Sequence, residues 1–257
     1  MNTRFKTKDI AVIGISAALY AAFGISTAGF SFLGVGFLPA VVIPAVFAVL
    51  YGPWVGGIGA AIGIFIRDMY VHHIPLLSLT AGVPPNFILF FLIGYIAHRS
   101  ISLKQALVGV SLAAVVITAI TAIFVPDIVA TLALGGSLVS TDFVYIAVLS
   151  TIIPTLAVIA VVAVRWKEWR SYAIAAVIAQ AAGAALLSVT VAAVSPFFLS
   201  YFGVVYGAST VLPLFIWTFV TELPFILLVG PPIIKACYRA FPSLRPKENQ
   251  VTNLEKS

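Results

Sequence analysis

Long uncharged segments alternate with short polar ones along the chain, and this pattern gives the first indication of the fold. The residues from Leu38 to Tyr51 carry no charge, and neither do those from Trp54 to Ile66, while Gly52-Pro53 lies between the two segments. A glycine just past one helix and a proline at the start of the next are typical helix boundaries. The pattern therefore predicts two membrane helices that fold into a hairpin.

The second helix of this hairpin is rich in small residues at helical spacing. Gly52, Gly56 and Ala60 recur every four residues, and Gly59 and Gly63 form a second stripe beside them. Lipid is as apolar as leucine, so membrane helices use small residues where their backbones must come close. We therefore expect this helix to lie inside a bundle rather than to face lipid.

The same pattern predicts eight spans in all. The segment 69–85, which holds two histidines and three prolines, is expected to be a loop, as is the aromatic segment 195–209. The apolar segment 128–141 is broken by two glycines, and at this length it fits an interfacial or re-entrant segment better than a span. The predicted spans are 9–31, 38–51, 54–66, 86–97, 105–125, 142–164, 172–194 and 210–234.

Composition places the chain among all-α polytopic membrane proteins. Hydrophobic residues make up 62% of the chain and charged residues 9%, with a mean hydropathy of +1.16. A soluble domain carries about 25% charged residues. The apolar segments show no two-residue alternation, which excludes an outer-membrane barrel. Cys237 is the only cysteine, so one chain can form neither a disulfide nor a thiolate metal site.

Positive charge is concentrated on one side of the predicted bundle. Thirteen of the fourteen lysine and arginine residues lie in the termini and in the loops that eight spans place beside them, and only Arg67 falls opposite. This distribution predicts that the chain lies in the cell (plasma) membrane with both termini cytoplasmic. The net charge of +6 is therefore explained by membrane orientation and does not indicate nucleic-acid binding. The expected division is a cytoplasmic basic arm at 1–8, a transmembrane bundle at 9–234 and a cytoplasmic polar tail at 235–257.

The predicted external side is poor in charge, so its polar residues are informative. Arg67 and Asp68 end a buried helix at the membrane boundary, where a polar group needs a partner and often marks a ligand path. Together with His72, Asn86 and Asp142 they form the predicted substrate-binding set. Two structural alternatives stay open. Arg67 could pair with an aspartate and tie the outer helix ends together, and Asn86 could cap the helix that it begins.

Further polar groups are weighed against simpler roles. The adjacent histidines His72-His73 do not converge easily on one ion, so no metal site is predicted. Glu222 lies within a predicted span and is a candidate for ion coupling, although a carboxyl close to Pro224 also fits a helix break. No function is assigned to Gln180. The sequence contains no Walker phosphate loop, G-x-S-x-G or H-E-x-x-H motif, so neither an enzyme activity nor a cofactor is predicted.

The first hundred residues resemble a known family of membrane proteins. The segments DIAVIGISAALYAAFGI, PAVVIPAVFAVLYGPWVGGIGAAIGIFIRDM and VPPNFILFFLIGYIAHR are similar to the substrate-binding S component of energy-coupling factor (ECF) transporters. The shared features are an alanine-rich first helix, the turn at Gly52-Pro53, and a glycine-rich third helix that ends in an acidic residue, here Asp68. Family members commonly have six spans, whereas eight are predicted for this chain.

This resemblance implies a function and partners. An S component binds a vitamin-like solute or a metal from outside, and a separate T component and a pair of ATPase subunits drive its import. The family's A-x-x-x-A contact with the T component corresponds to Ala18 and Ala22, or to Ala17 and Ala21. From the small-residue pattern alone, these alanines also fit packing within the bundle. The family's ligand site lies near the external side, in agreement with the substrate-binding set above.

Two other functions stay open at this stage. The chain could be a stand-alone secondary transporter in which Glu222 is protonated or ion-coupled. It could also be a membrane enzyme or an assembly factor, although no motif supports either.

Overall fold

The computed structural model of the chain describes residues 5–109 and 164–245, and between them residues 111, 112, 115, 153, 157 and 160–162. Within these residues, five helical stretches are long and apolar enough to cross a membrane. The prediction of an all-α, multi-pass membrane protein is confirmed at this level. The five stretches are Thr7–Ser26, Pro53–Val71, Pro75–Ala97, Lys167–Phe202 and Thr210–Ala240, and a shorter apolar helix covers Pro39–Tyr51.

Several predicted segments involve residues that the structure does not describe. The span at 142–164, most of the span at 105–125 and the whole segment 128–141 lie outside the described residues. The count of eight spans and the orientation of the termini therefore stay predictions.

Helices and strands are numbered in chain order over the described residues. The first part comprises α1 (Thr7–Ser26), the antiparallel strands β1 (Ser31–Phe32) and β2 (Val35–Gly36), a 3-10 turn at Pro39–Val41, α2 (Val42–Tyr51) and α3 (Pro53–Val71). It continues with α4 (Pro75–Leu77), a π-helical turn at Ser78–Gly82 and α5 (Val83–Ala97). The second part comprises α6 (Arg170–Val194), α7 (Leu199–Phe202), α8 (Ala208–Pro224), a π-helical turn at Phe225–Val229 and α9 (Gly230–Ala240).

The predicted hairpin at Gly52-Pro53 is confirmed by α2 and α3. Gly52 has a φ of 100°, a backbone conformation that glycine adopts without the penalty of a Cβ. Pro53 begins α3, where its missing N–H needs no partner. Gly56 then packs directly on α2, and a Cβ at this position would lie 2.7 Å from the Cα of Ala48. The two helices therefore depend on the small side chains between them.

Helix α1 packs on another part of the small-residue surface of α3. A Cβ on Gly59 would lie 2.9 Å from Ser16 Oγ, and one on Gly63 would lie 2.8 Å from the Ala17 carbonyl oxygen. Backbone-to-backbone approach of this kind places α3 in the bundle interior, as the sequence predicts.

Contacts between helices give their directions and the two ends of the bundle. Helix α1 runs parallel to α3, because Lys8 lies over the Tyr51 ring near the start of α3 and Gly24 packs on Arg67 near its end. Helix α5 runs antiparallel to α3, because Gly94 packs on the backbone at the α3 start.

The starts of α6 and α9 lie at the end of the bundle where α5 ends, because Ser171 Oγ accepts from the Ile101 N–H and Gly230 packs on Tyr172. The described lysines and arginines other than Arg67 therefore lie toward the bundle end opposite to Arg67.

The predicted loop at 69–85 is wrong over most of its length, because the chain is helical from Pro75 onward. Pro75 lies in the first turn of α4, and Pro84 and Pro85 lie in the first turn of α5. In a first turn, proline removes no intrahelical hydrogen bond. The π-helical turn at Ser78–Gly82 joins the two helices without a break.

Two other boundaries also differ from prediction. The segment 195–209 contains a 3-10 turn at Ser195–Phe198 and the short helix α7. Pro224 does not break the last helix, since a π-helical turn connects α8 to α9, and α9 continues to Ala240 beyond the predicted boundary at 235.

Candidate functional site

A cavity with several polar residues in its wall lies where α3 ends, inside the bundle and beneath the β1–β2 hairpin. It has a volume of about 70 Å³, and its walls come from β2, α3, the Ser78–Gly82 turn, α5, α6 and α8. Apolar side chains form much of the wall, including Leu38, Ile64, Leu187 and Val191. Its polar residues include Arg67, Asp68, His72, Ser78, Asn86 and Glu222.

The ion pair of Arg67 and Asp68 is the most charged feature of this cavity. Arg67 Nη1 lies 3.0 Å from Asp68 Oδ1, and the two residues are 4% and 5% exposed. Asp68 Oδ2 accepts a hydrogen bond of 2.7 Å from Ser78 Oγ. This oxygen lies so close to Gly82 that a Cβ at Gly82 would overlap it. The π-helical turn therefore holds the carboxylate in place from the side opposite to Arg67.

Arg67 has donor capacity beyond this ion pair. Its Nη1 also lies 3.1 Å from His72 Nε2, whereas its buried Nε has no hydrogen-bond partner among the described residues. Gly36 of β2 lies against the guanidinium, and a Cβ there would overlap Nη2. A buried N–H without an acceptor is costly, so Arg67 Nε is a donor that a bound molecule can use.

His72 connects this cluster to α7. The hydroxyl of Tyr201 lies 2.7 Å from His72 Nδ1. Because arginine can only donate, Nε2 of a neutral His72 accepts from Arg67, and Nδ1 carries the proton and donates to Tyr201. Burial lowers the pKa of His72 from its ordinary value of 6.5; the nearby Asp68 carboxylate opposes this shift and Arg67 reinforces it. The hydrogen-bond geometry and the direction of this pKa shift both favour the neutral ring.

Asn86 lies on the wall of the cavity rather than at a helix cap. Gly82 is the N-cap residue of α5, with no side-chain cap hydrogen bond, so the capping alternative for Asn86 is wrong. Asn86 Nδ2 donates to the Gly82 carbonyl oxygen at 2.9 Å, and Asn86 Oδ1 accepts from the Tyr20 hydroxyl at 2.6 Å. The bond to Tyr20 fixes α5 against α1 beside the cavity.

Glu222 reaches the same cavity from α8. Its Oε2 accepts a 2.8 Å hydrogen bond from Gln180 Nε2, which also donates to the Thr218 carbonyl oxygen at 3.1 Å. All three residues are buried. Gln180 Oε1 and Thr218 Oγ1 have no hydrogen-bond partner within the described part of the chain. Gln180 thus has a structural role that the sequence pattern does not show, namely the positioning of the Glu222 carboxyl.

The structure brings together four of the five predicted substrate-binding residues, namely Arg67, Asp68, His72 and Asn86. Asp142, the fifth, lies outside the described residues. Solute binding by this set stays a prediction. Sequence reasoning missed Ser78 and Tyr201, whose polar contacts depend on the fold, and Tyr20, whose aromatic side chain resembles ordinary core in the sequence.

The structure distinguishes the two alanine stripes of α1. Ala17 and Ala21 are buried, 2% and 4% exposed, and the Ala17 backbone packs on Gly63. They therefore lie within the bundle rather than on its outer face. Ala18 and Ala22 are exposed on the outer face of α1.

Two further findings concern metal binding and similarity to known proteins. Over residues 5–109 and 164–245, no group of three or more histidine, cysteine, aspartate or glutamate side chains is arranged to hold a metal ion. Comparison of the chain with protein-family models, curated proteins and solved structures finds no match.

Proposed function

We propose that this chain is the membrane-embedded solute-binding subunit of an ECF-type importer. It captures a small, vitamin-like solute in the cavity at the end of α3, and a separate T component with ATPase subunits drives uptake. The observation that carries the proposal is the buried pair Arg67–Asp68 with the half-buried His72, which line a cavity and leave Arg67 Nε without an acceptor among the described residues.

A purely structural role accounts poorly for this cluster. Arg67 and Asp68 are consecutive residues of one helix, so their ion pair joins no two helices. Charged groups within a membrane bundle are expensive and mark ligand paths. Ser78 and Tyr201 do tie the cluster to neighbouring elements, but neither contact requires an arginine at position 67. Solute binding gives Arg67 a function that offsets the free-energy cost of burying its charge.

The size of the cavity restricts what it accepts without rearrangement. Ligand pockets for drug-sized molecules measure about 300 to 1,000 Å³, whereas this cavity measures about 70 Å³. The β1–β2 hairpin covers it, with Gly36 against Arg67 and the Val35 carbonyl oxygen held by Trp217 Nε1 at 3.1 Å. A solute larger than a few non-hydrogen atoms therefore requires this hairpin to move aside.

The distribution of charge supports an external position for the cavity. Among the described residues, the basic side chains other than Arg67 lie toward the opposite end of the bundle. The positive-inside rule assigns that end to the cytoplasm. The chain then resides in the cell membrane with both termini inside, and its cavity opens to the outside.

The exposed face of α1 supports docking of the T component. Ala18 and Ala22 lie one turn apart on this face, and a Cβ at Gly14 on the same stripe would meet no other atom within 4 Å. Small residues on an outward face allow close approach of another helix. Ala17 and Ala21 are not part of the proposed contact because they are buried within the bundle.

The test is a thermal-shift screen of the purified full-length chain against vitamins, nucleobases and metal ions. We expect at least one compound to stabilise the protein, and Arg67→Gln to abolish that shift. Arg99→Gln is the matched control, because Arg99 is an exposed arginine near the other bundle end. A screen without a hit, or an equal shift in Arg67→Gln, would contradict the proposal.

A second candidate, a stand-alone secondary transporter, is favoured by one observation: Glu222 lines the cavity and is buried. In that case, liposomes containing only this chain accumulate solute, and Glu222→Gln abolishes uptake while binding is retained. Co-purification with ATPase subunits, without uptake by the chain alone, supports the importer subunit instead.

A further inference from the structure

The two acidic residues of the cavity differ in how their charge is balanced. Asp68 contacts the Arg67 guanidinium at 3.0 Å. Glu222 forms no ion pair with any lysine, arginine or histidine of the described ranges, and its Oε2 accepts a hydrogen bond only from the neutral amide of Gln180. The cavity wall thus holds one carboxylate in a direct ion pair and one carboxyl group that forms none.

A buried carboxyl in a membrane bundle needs either a proton or a cationic partner, because an isolated carboxylate is very costly there. Glu222 is 6% exposed and lines the cavity, so a ligand can supply this partner. Two oxygens next to it, Gln180 Oε1 and Thr218 Oγ1, have no partner in the described part of the chain. Glu222 thus has neighbours with unused hydrogen-bonding capacity, since Gln180 Oε1 can accept and the Thr218 hydroxyl can accept or donate.

Resting on the proposed function, we infer that the captured solute carries a protonated nitrogen that pairs with the Glu222 carboxylate. The partner chemistry is an ammonium or a cationic ring nitrogen attached to a small apolar body. Leu187, Val191 and Phe202 line the cavity with Glu222 and provide apolar contacts for that body. A simple carboxylate fits less well, because it has to share the Arg67 guanidinium with Asp68 and lies in a cavity that holds a second acidic residue, Glu222.

The experiment compares three probes of nearly equal size, namely isobutylamine, isobutanol and isobutyrate. Their affinities for the full-length chain in lipid nanodiscs are measured by ligand-observed NMR. We expect the amine to bind about tenfold or more tightly than the alcohol or the carboxylate, as a charge-assisted contact requires. This comparison uses the wild-type protein alone, so it does not depend on a variant that folds.

Two variants assign the preference to one residue. Glu222→Gln keeps the size of the side chain and its contact with Gln180, and it is expected to weaken amine binding about tenfold. Glu168→Gln is the matched control at an exposed carboxylate, and it is expected to leave amine binding within about twofold of wild type, as for surface charges.

Three results would overturn the inference. The first is tightest binding of isobutyrate, lost in Arg67→Gln, in which case solute capture stands and only the class of solute is wrong. The second is amine binding that Glu222→Gln leaves unchanged. The third is no binding of the amine to wild type while the vitamin and nucleobase screen still yields a compound. If that screen also yields nothing, the proposed function fails together with the inference.

Discussion

Arg67 and Asp68 are consecutive charged residues at the end of α3, in a bundle that is otherwise largely apolar. Removal of either partner leaves the other buried and unpaired, which is more costly than removal of both. Asp68→Asn is therefore expected to destabilise the protein by roughly 3 kcal/mol. The double substitution Arg67→Met with Asp68→Asn is expected to cost less than the sum of the single ones. Unfolding of each variant in mixed micelles measures these values, and strict additivity would show that the two residues do not interact.

His72 gives the site a dependence on pH. Burial lowers its pKa in the folded protein below the ordinary value of 6.5, so the unfolded chain binds a proton more readily than the folded one. The stability that the neutral ring contributes is present above pH 6.5 and is lost as the pH falls below it. Thermal unfolding between pH 7.5 and 5 checks this, using about half-unit steps across the His range.

The substitution His72→Gln isolates this effect. It is expected to flatten the loss of stability on the acid side, because the titrating ring is absent. His98→Gln is the matched control, at an exposed histidine near the other end of the bundle. An unchanged acid profile in His72→Gln would assign the pH dependence to another group.

At the scale of elements, the packing of α3 on α1 depends on glycines of α3, and Gly63 offers the clearest test. A side chain at Gly63 would lie 2.8 Å from the Ala17 carbonyl oxygen, whereas one at Gly14 would meet nothing within 4 Å. Gly63→Ala is therefore expected to destabilise the bundle by about 1 to 3 kcal/mol. Gly14→Ala is expected to be neutral or to stabilise α1 by about 0.5 kcal/mol. Equal effects on unfolding would contradict the close contact of these helices.

The β1–β2 hairpin offers a similar comparison for the site. A Cβ at Gly36 overlaps the Arg67 guanidinium, whereas one at Gly29, in the segment between α1 and β1, meets no atom within 4 Å. We expect Gly36→Ala to weaken binding of the compound found by the screen about tenfold, because either the hairpin or Arg67 must shift; tenfold corresponds to about 1.4 kcal/mol. Gly29→Ala should leave the affinity unchanged, and an equal loss in both variants would argue against a specific role of the hairpin.

Sequence patterns predict some of these elements and not others, for physical reasons. The Gly-Pro boundary predicts the hairpin at Gly52-Pro53. Small residues at helical spacing predict the interior position of α3, because they share a face on which neighbouring helices can approach closely. The helix at 75–97 could not be predicted in full, because Pro75, Pro84 and Pro85 indicate breaks unless they are known to lie in first turns. The sequence predicts the grouping of Arg67, His72 and Asn86, because all three fall on the same predicted side of the membrane. It does not predict that Ser78 and Tyr201 lie beside them, because the π-helical turn and α7 bring these two residues to the site.

At the scale of the whole molecule, the exposed stripe on α1 predicts an assembly. Replacement of both Ala18 and Ala22 by leucine adds bulk to the outer face and leaves the packing of α1 on α3 intact. We expect this double variant to fold and bind solute normally but to lose co-purification with the T component and ATPase subunits. Ala236→Leu, at an exposed alanine of α9, is the control. Assembly that survives the double variant would remove α1 from the docking surface.

The central claim is that the cavity at the end of α3 receives a solute from outside the cell. The most direct measurement uses Phe202→Cys, a residue of the cavity wall, in a chain whose only native cysteine is removed by Cys237→Ser. A membrane-impermeant maleimide is added to intact cells, with and without the compound that gives the largest thermal shift. The account predicts labelling from outside that the compound slows. Labelling only after the cells are permeabilised, or at a rate that the compound leaves unchanged, would contradict it.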